Sequence, residues 1–326
     1  VAFIAILLPL VLALGYDSIV AMCVTYLACN LGFSSAMLNP FTVGIGQSIA
    51  EVPLYSGVEY RTIIWFITTA VGCAFVMIYA MKIKKNPKLS PVFEIDQIKH
   101  EKLKDIQSES AEFTTSHKII VLSLFIGIGI IVYGVLKLEF WIPEIAGIFL
   151  AVGLISGIVG KLEPNEMASA FTEGAKDMIG AAILIGFARS IMIIAQNANI
   201  IDTILFNLSN AIGHLPSLIA AYIMLPIQMF INFFVNSGSG QAALTMPILA
   251  PLGDLVGISR QLTVLIYQLG DGFSNAMFPT SGVLMACLGI AGIPYGKWLK
   301  WIIPLQIILF ICSLGFITVA KLIGWA

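Results

Sequence analysis

Charge is scarce in this sequence. Asp, Glu, Lys and Arg make up 11% of 326 residues and hydrophobic residues 59%, whereas soluble globular domains carry roughly 25% charged residues. So few charges cannot clothe a water-exposed surface, and an ordinary soluble domain is excluded. The formal net charge is −1, and no basic stripe of the kind that follows a phosphate backbone occurs, which argues against a nucleic-acid partner. Only three histidines are present, His100, His117 and His214, in loops or at a helix end. The five cysteines, Cys23, Cys29, Cys73, Cys287 and Cys312, stand singly in apolar segments without a C-x-x-C pair. A zinc site or redox pair is therefore not expected, and they read as small buried hydrophobes. There is no phosphate-binding loop and no nucleophile–base spacing, so neither an enzyme nor a cofactor is expected. The short alternating segments of a membrane β-barrel are missing too.

What is present is long apolar runs. Ile119 to Val135, Ile142 to Val159 and Trp301 to Ala320 approach the ~20 residues that cross a bilayer as helix. The chain reads as an all-α polytopic membrane protein. One segment stands apart: Lys82 to Lys118 holds Lys84, Lys85, Lys88, Lys99, Lys102 and Lys104 among Glu94, Asp96, Glu101, Asp105, Glu109 and Glu112. It reads as a solvated linker, and short Lys-rich loops stay in the cytoplasm. The expected organisation is 1–83, a cytoplasmic linker 84–117, and 118–326. Thr62 to Met81 then descends to the cytoplasm, Ile119 to Leu136 rises and Ile142 to Val159 returns. Asn165 to Met178 has the spacing of an interfacial helix ahead of a span from Ile179 to Ala195, and the last helix runs from Trp298 to about Ile323. Glu59 and Gln261 fall on the extracytoplasmic side.

Two stretches repeat. "GFSSAMLNPFTVG" (Gly32 to Gly44) and "GFSNAMFPTSG" (Gly272 to Gly282) share GFS-x-AM. The match extends to "IAEVPLYSGVEYRTIIWFI" (Ile49 to Ile67) and "IAGIPYGKWLKWIIPL" (Ile290 to Leu305). The charge-derived topology runs the copies in opposite directions, an inverted repeat of the kind that places a solute site where helices break. Ser18 to Val52 is too long for one plain crossing at ~1.5 Å per residue, and an unwound middle at Asn39 and Pro40 absorbs the excess. Irregular backbone at membrane depth is tolerated only inside protein or along a wet cavity. "FFVNSGSGQ" supplies a third break, the tip of a re-entrant hairpin with arms Leu215 to Phe234 and Ala242 to Leu252. Ala2 to Gly15 reads as the second arm of a matching hairpin whose first arm and tip are expected to be missing.

Ser35, Asn39, Thr42, Asn236, Ser237, Ser239, Asn275, Thr280 and Ser281 sit at these breaks and are the candidate solute- and ion-binding residues. Pro40, Pro279, Gly238 and Gly240 read as the breakers. Asn39→Ala and Asn275→Ala should then impair transport and spare folding. Arg189, in "AAILIGFARSIMIIAQ", and Asp271 are ionisable residues inside apolar spans, and such residues are expensive there, at least ~2.5 kcal/mol each. Either they pair and hold helices together, or Arg189 receives a solute carboxylate while Asp271 serves a cation or proton. A channel would instead show a continuous polar face along several helices, and here polar breaks appear at one depth.

The motifs "NPFTVGIGQSIAEVPLYSG", "NSGSGQAALTMPILAPLGDLVGISRQ" and "GFSNAMFPTSGVLMACLGIAGIPYGKW" resemble the YfcC-like branch of the C4-dicarboxylate anaerobic carrier family, within the ion transporter superfamily. The resemblance covers essentially the whole chain. It implies secondary active transport across the bacterial inner membrane, usually as homodimers, with a scaffold and a transport domain built from two re-entrant hairpins and two broken helices. The implied solutes are C4-dicarboxylates, amino acids or small peptides, moved with Na+ or H+ held at the helix breaks, or by exchange.

Overall fold

The computed structural model describes the chain except residues 1, 108–113, 139, 141, 199, 201–202, 204–206, 208–210, 213 and 326, together with a further set of side chains within helices that includes Arg189. Every regular element among the described residues is helical. Residues 1–100 with 180–326 form one compact unit and 101–179 a second.

The first unit begins with α1 (Ala2–Ala13) and α2 (Ser18–Ser34), which is interrupted by a π turn at Cys23–Leu27. After a break the chain resumes in a π turn, Pro40–Gly44, that continues into α3 (Ile45–Ile49). The long α4 (Val58–Lys85) follows, and then α5 (Phe93–Gln107). The later elements are α9 (Ser217–Phe234), α10 (Gly238–Leu255), α11 (Arg260–Ser274), α12 (Gly282–Ala291) and α13 (Tyr295–Leu322). In the second unit α6 (Thr115–Lys137) packs on α7 (Ile142–Val159). Between these parts of the chain runs α8 (Pro164–Asn197).

Helix α8 corrects one expectation. Asn165 to Met178 is not a separate interfacial helix but the first half of a continuous one. The chain offers no stop between the halves, since a lone Gly180 costs only about 1 kcal/mol in a helix interior.

Three helices among the described residues, α4, α9 and α13, are long and apolar enough to cross a membrane. Their outward faces carry exposed Ile63, Phe66, Ile78, Phe230, Ile307 and Ile311, as lipid-facing surfaces do. The inward faces of α9 and α13 meet α11, which is buried along nearly its whole length, and α4 packs on α2 and α13. The two copies of the sequence repeat pack reciprocally. Helix α1 lies on α2 and α12, while α10 lies on α11 and α3; α4 flanks α2 as α13 flanks α11; and α2 crosses α11. Exchanging α1 with α10, α2 with α11, α3 with α12 and α4 with α13 leaves this set of pairings unchanged.

The first part of the linker is docked rather than solvated, because it meets two helix ends. Asp96 is 3% exposed and accepts hydrogen bonds from Ser18 N (2.7 Å) and Ser18 Oγ at the start of α2. Lys99 Nζ donates to Asp96 Oδ1, Ser18 Oγ and Ala291 O, each at 2.7 Å, the last at the end of α12. Asp17 accepts from Val20 N (2.9 Å), Ser90 Oγ (2.6 Å) and Tyr79 Oη. An acid at a helix N-terminus and a cation at a C-terminus both oppose the helix dipole. Asp96→Ala strands these donors, so it is expected to destabilise the full-length protein by about 1–3 kcal/mol. Thermal melting in detergent would read this, and an unchanged melt would mean that the linker is solvated after all.

Candidate functional site

The second break gathers a dense polar cluster. Helix α11 ends at Ser274, leaving carbonyls without intrahelical partners. Side chains from two other helices take them up. Asn232 Nδ2, on α9, donates to Asp271 O (2.9 Å), Ser274 Oγ (2.7 Å) and Asn275 Oδ1 (2.8 Å). Asn30 Nδ2 and Tyr26 Oη, on α2, donate to Gly272 O (3.0 Å) and Asn275 O (2.9 Å). Asn236 Nδ2, in the α9–α10 turn, reaches Asn275 Oδ1 at 2.6 Å. Asn275 therefore joins the hairpin turn to the broken helix. Replacing it with Ala takes one acceptor from the half-buried Asn236 Nδ2, while Asn232 Nδ2 keeps Asp271 O and Ser274 Oγ, so Asn275→Ala is expected to lower stability by about 0.5–1.5 kcal/mol. Melting of the purified variant checks this.

Asp271 stands at the centre of this cluster. Its side chain is 0% exposed, and neither carboxylate oxygen has a hydrogen-bond partner. A Cβ placed on Gly238 would lie 3.4 Å from Asp271 Oδ2, 2.7 Å from Thr42 Cγ2 and 3.0 Å from Phe33 Cζ. The first helix after one break, the first residue of the hairpin's second arm and the buried acid thus converge on one point, which only glycine leaves open. Thr42 Oγ1, Thr280 Oγ1 and Asn232 Oδ1 are also buried without partners. Oxygen atoms left unpaired at such burial are costly unless an ion, proton or solute meets them. No cluster of three or more His, Cys, Asp and Glu occurs among the described residues.

The other candidates separate by role. Asn39 Oδ1 accepts from Phe41 N (2.8 Å), Ser237 Oγ from Gly240 N (3.3 Å) and Ser281 Oγ from Leu284 N (3.5 Å), so these three cap helix starts. Asn39→Ala therefore removes a cap, which costs about 0.5–2 kcal/mol. Ser35 Oγ donates back to Leu31 O (2.8 Å). Pro40 does not interrupt a helix: it occupies the first helical position after Asn39, where its missing N–H matters least. Pro279 lies within the non-helical stretch 275–281, and Ser239 and Gly240 are half-buried in the first turn of α10. The side chain of Arg189 lies outside the described residues.

Sequence reasoning missed Tyr26, Asn30, Asn232, Arg61 and Gln268. Asn232 had a signal, being one helical turn before Asn236 in an otherwise apolar run. Gln261, expected on the extracytoplasmic side, is 1% exposed. Its amide accepts from Gln47 Nε2 (3.0 Å) and donates to Ser56 Oγ (2.8 Å). The buried polar residues of α11 thus extend from Gln261 through Gln268 to Asp271.

A sequence profile for DcuC, C4-dicarboxylate anaerobic carrier, matches residues 1–322. The protein named "Putative basic amino acid antiporter YfcC" of Escherichia coli (strain K12) is 46% identical over 336 aligned positions, covering 100% of this chain and 66% of that protein. An uncharacterized protein of Haemophilus influenzae (strain ATCC 51907 / DSM 11121 / KW20 / Rd) is 32% identical over 307 positions, covering 94% and 60%. The chain therefore spans less than two thirds of the length of these curated relatives. Among solved structures, the Alcanivorax borkumensis YdaH transporter superposes with a TM-score of 0.51 at 18% identity, covering 99% of this chain and 74% of that one. That likeness is one of fold alone.

Proposed function

The chain belongs to the C4-dicarboxylate anaerobic carrier family, a family of membrane transporters, and from that premise we propose that it is the core of a secondary active transporter for a small carboxylate-bearing solute in the bacterial inner membrane. The observation that carries this reading is the convergence of Asp271, Thr42 and Gly238 at the breaks, with both carboxylate oxygens unpartnered. A buried fixed anion needs a positive charge from elsewhere. In a carrier, a transported Na+ or proton, or a cationic group on the solute, supplies it. Asp271 is then the cation position, with Thr42 beside it across Gly238.

The reciprocal packing of the two copies supports an inverted repeat. The three-residue reversal Val235 to Ser237 between α9 and α10 supports a re-entrant hairpin. All the breaks lie in one packed body with α1, α9 and α10, which suits an elevator-type movement of the site as a unit. The family's description names C4-dicarboxylates and the E. coli relative's name basic amino acids; both classes bear carboxylates.

The test is uptake by proteoliposomes of the full-length protein, with labelled succinate and L-arginine offered separately under an imposed Na+ or proton gradient, or against preloaded solute. Accumulation above equilibrium is the expected result. Equilibration without accumulation would favour a passive pore.

A further inference from the structure

Arg61 is a charged side chain that, like Asp271, the fold buries with polar atoms left unpartnered. It lies one turn into α4 and is 1% exposed. Nη1 donates to Gln268 Oε1, and the guanidinium carbon stands 5.4 Å from the ring centroid of Trp325. Nε and Nη2 have no hydrogen-bond partner. Those two N–H groups lie side by side along one edge of the planar group, the edge that grips a carboxylate with two parallel bonds. The ion pairs that the fold makes among the described residues join Lys99 with Asp96 and Arg260 with Glu51 and Asp254, and none of these acids turns to Arg61.

The open edge is held close to the breaks. Gln268, which fixes Nη1, donates through Nε2 to Ala36 O in the first break (2.8 Å). It also precedes Asp271 by one turn of α11. Two turns further along α4, on the face that Arg61 shares, Thr68 is 1% exposed and its Oγ1 is unpartnered. Gln306, at the corresponding place in the second copy of the repeat, has both amide atoms buried and unpartnered. A cation serving only to hold helices together would spend its strongest binding edge on a protein acceptor. This one spends a single N–H on an amide and keeps the fork open.

We propose that Arg61 is the carboxylate receptor of the transport site, with Gln268 as the positioning residue that aims its Nε–Nη2 edge. The assignment rests on the carrier function proposed above. It puts the solute's negative end on α4 and leaves the positive position to Asp271.

The test compares the full-length wild type with Arg61→Met and Arg61→Lys. Each is melted in detergent alone, and then with succinate or succinamide, and with L-arginine or its decarboxylated analogue agmatine. Initial uptake rates are measured in proteoliposomes. For the wild type, only the carboxylate-bearing member of a pair is expected to raise the melting temperature. An apolar chain of similar volume relieves the desolvation cost of a buried unpaired charge, which outweighs the roughly 1–3 kcal/mol of leaving Gln268 Oε1 without its donor. Arg61→Met should therefore melt at or above the wild-type temperature without solute, lose the carboxylate-induced shift, and raise KM by roughly 100-fold, equivalent to about 2.8 kcal/mol. Arg61→Lys, which keeps the charge and loses the fork, should raise KM by about tenfold. An Arg61→Met protein that fails to fold, or melts lower without solute, would make Arg61 a structural residue and overturn the proposal. So would folded variants with unchanged KM, while wild-type uptake left the carrier function standing. A wild type that takes up neither probe would overturn the carrier function and this assignment with it.

Discussion

Asp271→Asn is expected to abolish cation-driven accumulation of solute while leaving the protein folded. The carboxylate is fully buried and both its oxygens lack partners, so its charge contributes nothing to holding the fold together through hydrogen bonds. Burying a neutral amide in its place costs less than burying an unpaired anion. The cluster around it also survives the change, because Asn232 binds the backbone carbonyl of residue 271 and not its side chain. What disappears is the fixed negative charge facing Thr42 and Gly238. A fall of roughly 100-fold or more in the gradient-dependent initial rate is expected, corresponding to at least about 2.8 kcal/mol of lost cation binding. The measurement is uptake by proteoliposomes with and without an imposed Na+ or proton gradient, beside a melting curve of the same preparation. A variant that concentrates solute as well as the wild type would place the cation elsewhere.

Gly272→Val is expected to produce the largest loss of stability. Helices α2 and α11 cross at this glycine, and a Cβ on it would lie 2.5 Å from the Cα and from the Cβ of Ser34. Backbone atoms of a packed helix cannot rotate aside, so the helices must separate. Separation strains the Asn30 and Tyr26 hydrogen bonds that bind the same turn of α11. Overpacking a core costs about 1–3 kcal/mol, and a branched side chain against backbone belongs at or above the top of that range. The sequence supplies its own control. Gly32 occupies the matching place in the first GFS motif, and a Cβ there would meet nothing within 4 Å. Gly32→Ala should leave the melt within about 1 kcal/mol of wild type, the cost of a Gly–Ala exchange in a helix, or raise it. Equal losses at the two positions would contradict the crossing described here.

The sequence by itself determined the elements whose causes are local. Apolar runs with hardly a charge make helices that need a membrane-like surrounding. Pro, Gly, Asn and Ser in close succession end them, and the duplicated GFS-x-AM motif marks two related segments. The spans Ile142 to Val159 and Leu215 to Phe234, and the breaks near residues 35–40, 235–240 and 275–281, were legible for that reason, as was Asp271 as an ionisable residue in an apolar setting. The tertiary structure alone decided what each polar group meets. Asn39, Ser237 and Ser281 sit at breaks like Thr42 and Asn275, yet the first three cap helices while the others face the cluster. Arg61, four residues into an apolar helix, carries no local sign of a role, and Lys99 reads as one charge among many on a solvated linker. Their true surroundings come from Gln268 and Ala291, far away along the chain. Gly32 and Gly272 carry the same local sequence and only one lies against a neighbouring backbone. Helix and turn propensities act over a few residues, whereas burial and hydrogen-bond partners such as Asn30 with Gly272 depend on which distant helices cross.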